Sequence, residues 1–181
     1  MYIVLPDGQI DDPDMELLQE FLDVLDQQFA RDTAKLKETH PPQQNIFWDR
    51  LSYIAGLGFV MCQQYIHVTY PSSGLDRNRA LRLSPKHASG RTIVELVNAG
   101  ANYWKHYLED VDFPTGTLRK ATIEPIEALG FDIESGCLCE VLLDKIVETD
   151  WRPFRRLLEL LNDWRDNLIG STNNRIGGDK E

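Results

Sequence analysis

The chain has 181 residues, 29 acidic and 19 basic, for a formal charge of −10. That length suits a single domain burying roughly two-thirds of its unfolded surface, so no disulfide or metal staple is required. The charge repels nucleic-acid backbones at long range, which argues against non-specific DNA binding but leaves room for a local basic cleft or a basic protein partner.

Residues 2–5 form a short extended segment in prospect, followed by a turn at Pro6-Asp7-Gly8. Asp12-Pro13 has the composition of an N-cap and first helical position, with acidic Asp14 and Glu16 in the first turn. Leu18, Phe21, Leu22, Leu25, Phe29 and Leu36 recur at helical spacing and predict an amphipathic helix over 13–39, stopped by Pro41-Pro42. A second helix is expected from a cap at Asn45 to about Tyr70. It is apolar around most of its circumference, which suits the centre of a bundle. Gly56 and Gly58 within it would let a neighbouring helix come close.

A basic loop with Arg77, Arg79 and Arg82 precedes a third helix over about 91–110. Its apolar side carries Ile93, Leu96, Val97, Gly100, Trp104, Tyr107 and Leu108. Beyond Phe113-Pro114-Thr115-Gly116, a shorter helix is expected to end at Leu129-Gly130, with Pro125 in its first turn or kinking it. Ser135 can cap a helix over 136–148, and Thr149 or Asp150 can cap a last one over 151–169. The fold class is therefore all-α: an antiparallel bundle of five to six helices in one domain (1–170), with a flexible tail over 171–181.

Three cysteines, Cys62, Cys137 and Cys139, lack zinc-ligand or redox spacing and suit core thiols in a reducing compartment. The N-terminus has no signal-peptide pattern, and the apolar run Tyr53 to Cys62 is too short to span a bilayer. A cytoplasmic protein without membrane attachment is the expectation. No cofactor or metal motif is present: there is no Walker loop, dinucleotide fingerprint or nucleophile elbow.

Functional groups concentrate on two helices. Asn98, Asn102 and His106 stand at four-residue steps, flanked by Glu95, Lys105 and Glu109. Such a stripe is either a solvated outer face or a cleft in which His106 serves as acid or base near neutral pH. The second helix offers a narrower stripe of Asp49, Ser52, Gly56, Gln63 and His67, whose polar groups need partners in an otherwise apolar helix.

The segment from Ile93 to His106, following the apolar Gly56-Leu-Gly-Phe-Val-Met-Cys-Gln-Gln-Tyr65, resembles bacterial HEPN-like helical proteins. The resemblance covers residues 43–110. It implies a small antiparallel bundle, commonly homodimeric, that acts as an RNase in defence systems or binds nucleotides or protein partners. The family's catalytic signature is an arginine four to six residues before a histidine. Arg82-Leu-Ser-Pro-Lys-His87 has that spacing but contains Pro85, and Asn102-Tyr-Trp-Lys-His106 has asparagine for arginine.

Three functions follow. The first is a homodimeric HEPN-like protein of a defence or stress system that binds a partner or ligand through Asn98, Glu95, His67, Gln63 and Arg82, without catalysis. The second is a metal-independent RNase with His106, Asn102 and Lys105 as catalytic groups. The third is an acidic inhibitor or immunity-type protein that covers a basic partner.

Overall fold

A computed structural model describes residues 2–5, 7, 9–106, 120–132, 139–149 and 152–176, with side chains through 172. The expected end of the third helix (107–110), the Phe113–Gly116 turn, the Ser135 cap, Cys137 and Asp150 lie outside the described residues. The described part is an all-α bundle preceded by a small hairpin. Strands β1 (Ile3–Val4) and β2 (Ile10–Asp11) pair antiparallel, Ile3 with Asp11 and Val4 with Ile10.

Helix α1 runs Pro13–Glu38. Asp12 caps it as its sequence predicts, accepting the Met15 N–H at 3.1 Å through Oδ1. Helix α2 (Pro41–Thr69) begins five residues earlier than the Asn45 cap implied. Pro41-Pro42 does end α1, yet the same prolines occupy the opening positions of α2, where a missing N–H costs nothing. A 3-10 turn at Tyr70–Ser73 follows.

The basic stretch expected as a loop contains a further short helix, α3 (Arg77–Leu81). Asp76 caps it by accepting the Arg79 N–H at 3.0 Å. Buried Ala80 and Leu81 tie it to the core, and the Trp164 indole N–H donates to the Ala80 carbonyl at 3.0 Å. Helices α4 (Ile93–His106), α5 (Lys120–Glu127), α6 (Cys139–Val147) and α7 (Pro153–Ile176) complete the described elements. Pro125 is therefore inside α5, past its first turn, and Gly130 beyond it has the positive φ expected of a left-handed cap.

Two expectations at the C-terminus change. The last helix continues past Gly170 to Ile176, overtaking the first residues of the expected tail. Thr172 Oγ1 anchors this extension, donating to Leu168 O and Ser73 O at 3.0 and 3.3 Å. The N-terminal N–H groups of α7 are capped from a distance, because Asp26 of α1 accepts from Phe154 N and Arg155 N at 3.0 and 2.9 Å.

Helix α2 packs against α1, α4, α6 and α7, which places it centrally, although Ile46, Trp48 and Tyr53 in its first half stay exposed. Phe59, Tyr103, Phe154 and Trp164 are the largest fully buried side chains. Truncating such an aromatic to alanine typically costs about 3–5 kcal/mol. The two α2 glycines allow these contacts. A Cβ at Gly56 would collide with the Trp104 indole, and one at Gly58 with the Phe154 ring. Cys62 and Cys139 are buried, and burial pushes the Cys62 thiol up. A second lock joins three helices: Tyr65 Oη donates to Asp12 Oδ2 at 2.7 Å, and Arg165 Nη1 approaches the same oxygen at 3.2 Å. Among the described residues, no helix is long and apolar enough to cross a membrane.

Candidate functional site

Residues four apart on a helix share a face, so Gln63 and His67 stand together on α2, as do Asn98 and Asn102 on α4. Packing α2 against α4 brings these two polar stripes into contact inside an otherwise apolar interface. Gln63 is 5% exposed and Asn98 6% exposed, so their amides must satisfy one another.

Gln63 organises the group. Its Nε2 donates to Asn98 Oδ1 at 2.8 Å and to Asn102 Oδ1 at 3.0 Å. Its Oε1 accepts from Lys105 Nζ at 2.7 Å. Arg77, at the start of α3, adds a donor from a third element, reaching Asn98 Oδ1 at 3.3 Å. The acceptors of both asparagines are thus used internally, and the Asn98 side chain also hydrogen-bonds His67. No carboxylate takes part in this set of hydrogen bonds.

His67 lies beside the two cations. Burial first, then the charges of Arg77 and Lys105, hold its imidazole below the usual range, while a hydrogen bond with Asn98 pulls the other way. Its Nε2 is buried without a hydrogen-bond partner among the described residues. Burial also lowers the Lys105 ammonium. The result is a neutral imidazole, two cations and two amide donors around one spot, an arrangement that receives negative charge.

The other anticipated residues are placed differently. His106 is the last described residue of α4 and half-buried, and the imidazole on which Arg77 and Lys105 bear is His67. Glu95 serves α4 itself: it accepts from Thr92 N at 2.9 Å, while Thr92 Oγ1 accepts from Glu95 N at 3.2 Å. This reciprocal capping box is legible as Thr92-Ile-Val-Glu95 ahead of an apolar run. Arg82 sits beyond α3, in a shallow groove of about 370 Å³ with Lys86, Ser89, Arg91 and Glu95. Arg77 is the functional residue the sequence does not single out from its basic neighbours. Its signal is the Asp76 cap, which turns a loop arginine into the first residue of a helix.

Outside this site, Glu140 of α6 is 2% exposed. Burial pushes its carboxyl up to about 7, reinforced by Asp144 and Asp49 and opposed by its own backbone N–H and the Ser52 hydroxyl. Among the described residues no three His, Cys, Asp or Glu side chains gather as metal ligands. Comparison with protein-family models, curated proteins and solved structures gives no match.

Proposed function

We propose that this chain is a HEPN-like helical protein that binds an anionic, phosphate-bearing ligand at the α2–α4 seam, as the binding component of a cytoplasmic bacterial defence or stress system. One observation carries this reading: the acceptors of Asn98 and Asn102 are consumed within the set, so the groups at the seam that can turn to a ligand are donors, chiefly Arg77, Lys105 and the Asn102 NH2. A cation or a hydrogen-bond donor finds no counterpart among them. A phosphate does.

Calorimetry with inorganic sulfate, adenosine monophosphate and a short single-stranded RNA tests the reading. Binding of at least one is expected, with Arg77→Met and Lys105→Met each weakening it about tenfold, the size of one charge-assisted hydrogen bond. No binding, or binding indifferent to both substitutions, overturns it.

A second reading is favoured by the neutral imidazole. A metal-independent RNase needs a base for the 2′-hydroxyl and cations for the phosphorane charge, and His67 with Arg77 and Lys105 supplies both types. It moves the base from His106 to His67. RNA cleavage lost in His67→Ala and kept in His106→Ala supports it, and the reverse pattern restores His106.

A further inference from the structure

The outer face of α1 carries apolar side chains that the core does not use. Leu17, Phe21 and Val24 are 52%, 46% and 53% exposed, while Leu18 and Leu22 beside them are buried. Their spacing of four and then three residues aligns them in one narrow stripe, and Gln28 continues it by a further turn. Charge along the same helix is segregated. Glu16 and Glu20 border the stripe in its first half, and Gln27 and Arg31 lie on that same flank in its second half.

From this pattern we infer that the α1 face is a seam for a second copy of this chain, packed antiparallel about a two-fold axis near residues 22 and 23. In that register Phe21 meets Val24 of the second copy, and Leu17 meets the aliphatic part of Gln28. Along the flank, Glu16 faces Arg31 of the second copy and Glu20 faces Gln27, because antiparallel helices bring identical flanks together in reversed order. Each contact occurs twice, so the surface closes on itself and makes a dimer rather than a chain. A parallel arrangement about a two-fold axis sets opposite flanks against each other, so it brings neither Glu16 to Arg31 nor Glu20 to Gln27. A foreign basic segment would match Glu16 and Glu20 but would set its charge against Arg31. The seam spans about four helical turns, at the small end of specific interfaces, so association in the micromolar range is expected. The inference does not depend on the ligand site.

Sedimentation velocity over a range of protein concentrations tests it. The wild-type chain should dimerise reversibly, and Phe21→Glu, at an exposed position, should weaken the dimer about tenfold or more with an unchanged helical circular-dichroism spectrum. Glu16→Lys and Arg31→Glu should each weaken it, and the two together should restore it. Under mild oxidation, Leu17→Cys combined with Gln28→Cys should give chains linked in pairs, with the parent chain as control. A monomer at all concentrations overturns the inference, whether or not a basic partner binds the face. So does a dimer indifferent to Phe21→Glu, and a double charge reversal that fails to recover overturns the antiparallel register.

Discussion

Glu140 is a carboxyl that the fold keeps away from water, beside Asp49 and Asp144, and its ionisation works against the folded state. Its ordinary value of 4.5 is raised to about 7, so between those pH values the folded chain holds a proton that the unfolded chain has released. The associated stability is complete below the unfolded value and is lost as pH rises through the folded one. Glu140→Gln, which stays neutral, should therefore gain on wild type by about 3 kcal/mol between about pH 4.5 and about pH 8, read by urea denaturation at each pH. A constant difference would show that the carboxyl is solvated. His67 has the opposite sign. Its lowered value means that stability is present above the ordinary imidazole range and falls as acid protonates the ring. An anion at the seam should reverse that penalty, so sulfate binding near pH 6.5 should take up protons, measured by calorimetry in buffers of different ionisation enthalpy. Proton uptake that persists in His67→Gln would assign it to another group.

Helix boundaries and faces separate what the sequence discloses from what only packing decides. The Asp12 cap and the apolar stripe of α1 are local signals, and that helix forms where they stand, whereas the turn expected at Pro6-Asp7-Gly8 includes two positions outside the described residues. Gln63, His67, Asn98, Asn102 and Lys105 also stand out as polar groups on apolar helices, and the structure brings all five to one place. The choice between His67 and His106 depends on helix rotation. Four-residue steps each turn about 40° beyond a full circle, so His106 has rotated about 80° from Asn98, whereas Lys105 lies within about 20° of it. Which stripe faces α2 is a tertiary fact, and so is the capping of α7 by Asp26, more than a hundred residues earlier. Glu95 illustrates a local signal with a local purpose. Glu95→Ala should cost about 0.5–2 kcal/mol in thermal or urea unfolding, the range for a lost helix cap, and should leave sulfate affinity unchanged. Gly58→Ala should be destabilising by about 1–3 kcal/mol despite alanine's better helix propensity, because the Phe154 ring occupies the space a methyl would need.

Across the whole molecule, a net charge of −10 surrounds a seam built from donors and cations. An anion must cross a repulsive field to reach an attractive pocket of charge. Moderate salt screens the approach as well as the contact, so binding to the half-buried end of the seam should weaken less with ionic strength than binding to exposed lysines. The support for that seam reaches far along the chain. Arg77 stands on a helix of five residues, too short to hold itself, and the carboxyl-terminal helix steadies it through the Trp164 indole on Ala80 and Thr172 on Ser73. On the proposed reading, ligand affinity depends on residues that no ligand touches. Trp164→Phe keeps the ring and deletes the N–H, and it should loosen the grip on sulfate as well as the fold. Proteolytic trimming of the last helix should likewise silence the site before the rest of the bundle comes apart.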